Sequence, residues 1–342
     1  MQKEKLYGKT LSELIAVTKR LGLPGFAAKQ ISDWLYKKEI DSIEAMTNLS
    51  KKARELLSAD YSYGLSVTVS FSASMDGTKK YLYNVLNDKY IETTYIPDNE
   101  RATICVSSQA GCKMGCIFCM TGRQGFQGNL SSNEILNKFR SLPEFRTLTN
   151  IVYMGMGEPL DNITEVLKSL DILTSGWGYG WSPTRITVST VGLVKSVKEF
   201  LEKSRCHLAV SLHSPFDEER RKLMPIQKTN SVKDVLGVIK SFDFNSQRRV
   251  SFEYILFKGL NDSPIHIKEL TRILNGIKCR INIIRFHSIP GSPYESPDVE
   301  TTIKFKEKLN DKGILTTIRA SRGEDIQAAC GLLSTLEQNK SG

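Results

Sequence analysis

The sequence predicts an α/β protein built on a partial (β/α)6 barrel, with a small N-terminal region of helices and β-hairpins and a C-terminal extension. From about residue 103, six short runs rich in β-branched residues alternate with amphipathic helical patterns, and this alternation is typical of a parallel sheet. Six such units are two fewer than a closed eight-stranded barrel requires. We therefore expect an open side that admits a large substrate.

Before that point, residues 1–60 predict short helices and residues 65–96 predict strands. Thr10-Leu11-Ser12-Glu13 has the form of a capping box at the start of an amphipathic helix. The predicted N-terminal strands are Leu65–Ser72, Tyr81–Leu86 and Tyr90–Ile96, separated by the hairpin signals Asp76-Gly77 and Asn87-Asp88. We expect a helical cluster followed by an antiparallel meander.

The barrel elements follow in order. Its predicted strands are Thr103–Ser107, Asn150–Met156, Arg185–Thr190, His207–Leu212, Arg249–Phe257 and Arg280–Phe286, and the helical patterns between them include Ser131–Arg140, Val194–Lys203, Ser231–Phe242 and His266–Ile277. A helix over Thr301–Leu309 and a strand over Ile314–Ala320 extend the sheet. The predicted domains are residues 1–97, an RNA-binding candidate, residues 98–323, the barrel core, and residues 324–342, a C-terminal segment.

Composition and charge narrow the class of protein. The 342 residues are 40% hydrophobic and 25% charged, which excludes collagen-like, disordered and coiled-coil proteins. Because we find neither an apolar run of ~18 residues nor a secretory signal, we expect a cytoplasmic location and no membrane partner. The net charge of +10 suggests a polyanionic partner without locating its binding patch. The basic run Arg220-Arg221-Lys222 follows the acidic run Asp217-Glu218-Glu219 and predicts a solvated helix face.

The cysteines carry the strongest signal. Cys112, Cys116 and Cys119 form C-x3-C-x2-C directly after the first barrel strand, and Gly111 and Gly115 let the chain loop around a common centre. This spacing favours a [4Fe–4S] cluster with one open iron position, since such clusters normally take four thiolates. Zinc would need a fourth protein ligand at comparable spacing. Three unliganded core cysteines are the other alternative.

At these residues the sequence resembles the radical S-adenosylmethionine (SAM) enzymes. The wider string from Cys105 to Cys112, followed by Cys119-Met120-Thr121-Gly122, Gln124-Gly125-Phe126 and the segment around Cys330, is similar to the RlmN/Cfr family of RNA adenosine methyltransferases. The resemblance covers nearly the whole chain. It implies a radical SAM barrel with a [4Fe–4S] cluster on Cys112, Cys116 and Cys119, and two SAM molecules per turnover.

The resemblance also assigns the SAM contacts. It implies that Gly157 and Glu158, in Gly155-Met156-Gly157-Glu158-Pro159, hold the amino group of SAM, although this motif alone would also suit a tight turn. The other implied contacts are Ser189, Ser211, Leu212, His213 and His287. The family usually has Asn where this chain has His287.

The mechanism implied by the resemblance uses two further cysteines. Cys330 takes a methyl group from one SAM and becomes S-methylcysteine. A 5′-deoxyadenosyl radical from the second SAM then activates that methyl group for addition to adenine, and Cys105 resolves the adduct through a transient disulfide with Cys330. Glu92 matches the family's proton acceptor, although a glutamate on a strand is more often solvated. Cys206 and Cys279 are predicted to be structural thiols.

The implied substrates are an adenosine of 23S rRNA, in the peptidyl transferase centre, and the adenosine beside the tRNA anticodon, both methylated at carbon 2. Pro159 favours this branch over the Cfr branch, which methylates carbon 8 and confers antibiotic resistance. A radical SAM enzyme for another substrate and a non-catalytic iron–sulfur RNA-binding protein stay as alternatives. The implied partners also include an electron donor such as flavodoxin or ferredoxin, and the implied state is a monomer.

Overall fold

The computed structural model describes residues 3–38, 40–86, 89–244, 248–287, 289, 291–326 and 334–335. Its strands are β1 (Glu4–Lys5), β2 (Tyr61–Ser62), β3 (Thr68–Ala73), β4 (Lys79–Val85), β5 (Lys89–Asp98), β6 (Arg101–Cys105), β7 (Gln109–Gly111), β8 (Phe126–Asn129), β9 (Asn150–Tyr153), β10 (Ile186–Thr190), β11 (His207–Ser211), β12 (Val250–Leu256), β13 (Cys279–Arg285) and β14 (Leu315–Ile318). Its helices are α1 (Leu11–Arg20), α2 (Ala27–Tyr36), α3 (Lys51–Asp60), α4 (Met120–Arg123), α5 (Ser132–Arg140), α6 (Ile163–Thr174), α7 (Val194–Lys203), α8 (Asp217–Leu223), α9 (Val232–Lys240), α10 (Pro264–Leu274) and α11 (Val299–Asp311).

The centre of the described chain is one ten-stranded sheet in the order β14-β13-β12-β11-β10-β9-β6-β5-β4-β3. From β6 through β9 to β14, every neighbouring pair is parallel. Helices α5 to α11 lie between these strands in the sequence, as parallel connections require. The predicted partial barrel is confirmed: its six strands are β6 and β9 to β13, and β14 extends the sheet.

The predicted antiparallel meander is also present, and it continues into the barrel. Strands β3 to β6 pair antiparallel in sequence. The register pairs Asp98 with Arg101, so only Asn99 and Glu100 form the turn, and Asn99 takes the left-handed conformation with φ of 51° that tight hairpins need. Gly77, with φ of 82°, turns the chain between β3 and β4. The other hairpin signal, Asn87-Asp88, lies outside the described residues.

The N-terminal helices pack as the predicted cluster. The Thr10 capping box is formed: the Glu13 carboxylate accepts a hydrogen bond from the Thr10 amide at 2.7 Å, and the Thr10 hydroxyl accepts one from the Glu13 amide. A tyrosine pair then joins this region to the segment that follows α6, because the Tyr7 and Tyr179 hydroxyls are hydrogen-bonded at 2.7 Å. No helix in the described ranges combines the length and the apolar character needed to span a bilayer.

Candidate active site

The carboxyl-terminal ends of the parallel strands surround a cavity of about 240 Å³. Ligands of open α/β sheets bind at this edge. Among the predicted site residues, the cavity is lined by Cys112, Cys116, Cys119, Gly157, Glu158, Ser189, Ser211 and His213. Four other described site candidates do not line it: Glu92, Cys105, Leu212 and His287. The Leu212 side chain lies in the main hydrophobic core, and its amide donates to the Glu253 carbonyl at 2.9 Å.

A short two-stranded ribbon shapes the cysteine loop. Strand β7 pairs antiparallel with β8 on either side of the three cysteines, and the Cys112 amide donates to the Gly125 carbonyl at 3.0 Å. Gly111 has φ of 66°, and a Cβ atom there would lie 1.8 Å from the Gly125 oxygen. Glycine is therefore required at position 111, whereas Gly115 shares the left-handed φ without such a close neighbour.

The donor set suits an iron–sulfur cluster. Burial raises the pKa of Cys112 to about 12 and raises those of Cys116 and Cys119 above their ordinary value, so the thiolates need a positive partner. Across the described residues, no three His, Cys, Asp or Glu side chains are grouped as a single-ion site. Three thiols around one cavity fit a cube, since each thiolate binds a different iron, better than they fit one tetrahedral zinc ion.

Helix α8 supports this loop from the side of the barrel. The Ile117 amide donates to the Leu223 carbonyl at 3.1 Å, and Leu223 and Met224 pack with Cys112 and Cys116 in a second hydrophobic cluster. The cysteine loop therefore has a packed apolar wall in addition to the β7–β8 ribbon.

The expectation of a solvated face on α8 is wrong for Arg220, which is fully buried. Its guanidinium donates to the carbonyl oxygens of Val191 at 2.7 Å and Ser211 at 2.9 Å, and further to Leu212 and Gln227. Burial lowers the pKa of Arg220 to about 10, so the side chain stays protonated at neutral pH. Arg220 therefore stabilises the chain where β10 and β11 end. The sequence did not indicate this role, because the adjacent acidic and basic residues of α8 suggested an exposed helix.

Glu158 follows β9 and is buried at the cavity wall. Its carboxylate accepts hydrogen bonds from the Val191 amide at 2.8 Å and the Leu160 amide at 3.0 Å. Burial raises the pKa of Glu158 to about 7 despite these bonds. The preceding Gly157 has φ of 94°, and a Cβ atom there would lie 2.4 Å from the Gln109 Cβ. A carboxylate so placed can bind an ammonium group.

His213 also lines the cavity, in a fixed, neutral form. It has φ of 56°, which is uncommon for a residue other than glycine. The Nδ1 atom of its ring accepts a hydrogen bond from the Ile255 amide at 3.0 Å, and burial lowers the pKa of His213 to about 3. The ring contacts Phe118, between the second and third cysteines, with centroids 4.9 Å apart. Only Nε2 is left to bind a ligand.

Glu92 is buried rather than solvated, and it pairs with an equally buried lysine. The Lys80 Nζ lies 2.8 Å from a Glu92 carboxylate oxygen, with both side chains at most 3% exposed. Cys105 is close by: it pairs in register with Thr94, which pairs with Lys80. Burial raises the pKa of Cys105 to about 11, while the positive charges of Arg319 and Lys80 lower it. The sequence of β4 did not indicate a buried role for Lys80, because a lysine on a strand usually faces water.

Cys330 lies outside the described residues. Ser334, four positions later in the sequence, is fully buried, and its amide donates to the Glu92 carboxylate at 2.7 Å. The Ser334 and Thr335 hydroxyls accept hydrogen bonds from the Gln124 side chain, which follows the third cysteine by five residues. The C-terminal segment thus contacts both Glu92 and the cysteine loop.

Glu253 is a site residue that the sequence analysis missed. It lines the cavity from β12, where one carboxylate oxygen accepts a hydrogen bond from the side-chain amide of Asn282 at 2.8 Å and the other lies 3.3 Å from the Arg319 Nε. Parallel strands are apolar for most of their length. The pairing of β12 with β13 places Glu253 beside Asn282, and Arg319 directly follows β14.

Comparisons with known proteins place this geometry in a family. Residues 106–270 match the family model of the radical SAM superfamily, and residues 5–62 match that of the ribosomal RNA large subunit methyltransferase N-terminal domain. A curated relative, the probable dual-specificity RNA methyltransferase RlmN of Bacteroides fragilis, is 58% identical over 100% of this chain and 99% of its own. The dual-specificity RNA methyltransferase RlmN of Campylobacter lari is 43% identical over 91% of this chain and 92% of its own.

A solved structure agrees with this relationship. The radical SAM methyltransferase of Sphaerobacter thermophilus superposes with a TM-score of 0.89 at 37% identity, over 96% of this chain and 98% of its own. The resemblance inferred from the cysteine motifs is thereby confirmed. The chain belongs to the RlmN family of radical SAM RNA methyltransferases.

Proposed function

We propose that this protein methylates carbon 2 of adenosine in 23S rRNA and in tRNA beside the anticodon. The observation that carries the proposal is the cavity at the strand ends, which brings three cysteines together with Glu158. Relatives named as dual-specificity RNA methyltransferases cover the whole chain, and this supports the two RNA substrates. A target base in folded RNA has to be turned out of its stack to reach such a cavity.

Cys112, Cys116 and Cys119 are the proposed cluster ligands, and the remaining cavity wall is the proposed SAM site. Glu158 binds the SAM amino group, while Ser189, Ser211 and the Nε2 of His213 provide polar contacts beside it. Gly157 allows the ligand to approach the backbone. Leu212 and His287 belong to the same proposed set through the family resemblance, with Leu212 contributing its backbone.

The reaction needs radical chemistry because adenine carbon 2 is electron-poor and does not attack the SAM methyl group. The cluster with bound SAM supplies that one-electron chemistry. In the proposal, Cys330 carries the methyl group, Cys105 forms the transient disulfide with Cys330, and Glu92 accepts the proton from the adenine ring. Lys80 keeps the Glu92 carboxylate oriented in a buried site, and the Ser334 amide contacts the same carboxylate.

The remaining parts of the proposal concern partners and location. A flavodoxin or ferredoxin supplies the electron, the protein acts as a monomer, and it works in the cytoplasm, where its RNA substrates are found. The N-terminal region, which matches a ribosomal RNA methyltransferase domain model, helps to hold the RNA.

Nucleoside mass spectrometry of 23S rRNA and tRNA from a deletion strain tests the proposal. We expect 2-methyladenosine to be lost from both RNAs, to return with the wild-type gene, and to stay below about 1% with Cys330→Ala. Cys279→Ala is the matched control, because Cys279 is a half-buried thiol outside the cavity. Loss of 8-methyladenosine instead, or full activity of Cys330→Ala, would refute the proposal.

A further inference from the structure

The amino-terminal edge of the barrel sheet, opposite the candidate active site, carries a second cavity. Its volume is about 660 Å³. Four arginines from four different strand starts line it: Arg101, Arg185, Arg249 and Arg280, which we call the arginine cluster. His207 and the threonine and asparagine side chains of Thr149, Asn150, Thr184 and Thr187 complete the lining.

The sheet register explains why residues so distant in the sequence meet here. Arg101 begins β6, Arg185 and Arg249 directly precede β10 and β12, and Arg280 is the second residue of β13. The parallel pairing places Arg280 beside Ser251 of β12, two residues after Arg249. The starts of the parallel strands meet at the same edge of the sheet, and the four arginines there line one cavity.

Among the residues that the structure describes, no acidic side chain offsets the charge of the arginine cluster. Within the described ranges, no carboxylate lies within ion-pairing distance of any of its four guanidinium groups, whereas exposed Arg221 and Arg272 each pair with a glutamate. Arg185 stacks on Trp181, 5.5 Å from the ring centre, which orders it without neutralising it. Grouped like charges repel one another, and an anion relieves that repulsion.

Arg248 and His207, which lie beside the arginine cluster, show that positive charge is concentrated there. Arg248, next to Arg249 in sequence, has its guanidinium bonded to the carbonyls of Cys206, Leu201 and Phe200, so it is committed to the fold. His207 has its pKa lowered by burial and then by the charges of Arg249, Arg280 and Arg248. Positive potential is therefore concentrated at this cavity, and Arg249 is free of the structural bonds that hold Arg248.

We propose that the arginine cluster is a phosphate-binding site that holds the backbone of the RNA substrate. Guanidinium groups bind phosphate oxygens through paired hydrogen bonds, and the surrounding hydroxyl and amide groups suit the same oxygens. Apart from the His207 imidazole, which already accepts a hydrogen bond from the Arg249 amide, the described lining residues offer no aromatic ring on which a base could stack. The site therefore recognises phosphate rather than sequence. The choice of RNA as the source of phosphate rests on the proposed function.

The position of the cluster gives it a role distinct from that of the active site. Strand β12 has seven residues, so the two cavities lie roughly 20 Å apart at ~3.3 Å per residue. A folded RNA is larger than this separation and can contact both ends of the barrel. The arginine cluster contributes affinity and orientation for a long RNA, while the chemistry stays at the other edge.

The test compares two double variants of the reconstituted holoprotein. Arg101→Gln with Arg249→Gln removes two exposed members of the cluster, and Lys268→Gln with Lys308→Gln removes two exposed charges from α10 and α11. Binding of substrate tRNA is measured by fluorescence anisotropy over a range of salt concentrations, and methylation is measured by KM and kcat. Circular dichroism checks that both variants fold.

We expect the cluster variant to bind tRNA about tenfold more weakly at 0.1 M salt. Its slope of log affinity against log salt should fall by about 1–2, as expected for two lost phosphate contacts. KM for tRNA should rise while kcat stays within twofold, and the lysine variant should match the wild type. Equal weakening in both double variants would refute a localised site.

Titration of both proteins with inorganic phosphate at constant ionic strength separates the possible sources. Phosphate binding that the cluster variant loses, together with unchanged tRNA affinity, would overturn RNA as the source. If neither phosphate nor tRNA binding changes, the whole inference is wrong. If the wild type binds no tRNA at all, the proposed function fails, while the phosphate titration still tests the site.

Discussion

At the scale of single residues, burial determines what the polar groups of the site can do. Glu158 is held at the cavity wall by two backbone amides, and burial raises its pKa to about 7. The carboxyl group is therefore protonated in a large fraction of molecules near neutral pH, and only the ionised fraction can pair with an ammonium group. Ligand binding at this position should depend on pH in a range where ordinary glutamates do not titrate.

We predict that SAM affinity of the wild-type holoprotein rises about fivefold between pH 6 and pH 7, below the range where an α-amino group, with a pKa of ~8, loses its proton. The sign follows from the raised pKa: below about 7 Glu158 is neutral and loses the ion pair, and above it the charge is restored. Glu158→Gln should bind SAM more weakly at every pH and show no such rise. Equilibrium dialysis with labelled SAM measures the affinity of both proteins, and a wild-type affinity that is flat from pH 6 to 7 would contradict the assignment.

Site residues that stand in short sequence motifs could be predicted, whereas those that depend on tertiary packing could not. Cys112, Cys116, Cys119, Gly157 and Glu158 stand in short motifs whose spacing carries the chemistry, and the structure brings them to one cavity. Lys80 and Arg220 were missed because their roles arise from burial. Lys80 is a lysine on a strand and Arg220 lies in a highly charged helix, and such side chains normally face water. Only tertiary packing shows that both are buried and have buried partners.

At the scale of elements, two short segments position the cysteine loop. The ribbon β7–β8 clamps its ends, and α8 packs against its middle. Neither was evident beforehand as a support: β7 is only Gln109–Gly111 and has no β-branched residue, and the alternating charges of α8 suggested a surface helix. By contrast, α1 and α7 were predicted well, since a capping box and a 3.6-residue apolar period are local signals.

We predict that Gly111→Ala abolishes cluster binding and leaves the barrel folded. A methyl group at position 111 would lie 1.8 Å from the Gly125 carbonyl oxygen, so β7 and β8 have to separate and the loop loses its clamp. Gly115→Ala is the control, because its φ of 65° costs only about 1–2 kcal/mol and its nearest contact is 3.8 Å away.

Iron content after anaerobic reconstitution and far-ultraviolet circular dichroism give the readouts for this pair. Gly111→Ala should retain less than a fifth of the wild-type iron with an unchanged circular dichroism spectrum, and Gly115→Ala should retain most of the iron. Comparable iron in the two variants would show that the ribbon does not shape the site.

At the scale of the whole molecule, strand pairing determines which distant regions of the sequence are joined, and local sequence patterns do not show this. The domain boundary predicted between residues 97 and 98 stays a prediction. In the structure the β5–β6 hairpin crosses that position, so the N-terminal strands and the barrel share one sheet. The arginine cluster is another product of pairing, because its four members come from separate strands and no local window contains them together.

A shared sheet and a shared core predict that the N-terminal region and the barrel unfold together. Buried residues of both regions belong to one hydrophobic cluster, and the tryptophans Trp34, Trp177 and Trp181 all pack against it. In urea, tryptophan fluorescence should therefore report the same midpoint as circular dichroism at 222 nm, although chains of this length often show separate transitions. Leu57 lies on α3 and its side chain is fully buried. Leu57→Ala should therefore lower the free energy of unfolding by about 2–5 kcal/mol and should lower the fluorescence and circular dichroism midpoints equally. Two midpoints in the wild type, or a fluorescence shift in Leu57→Ala without a matching shift in circular dichroism, would show that the barrel folds independently of the strands paired to it.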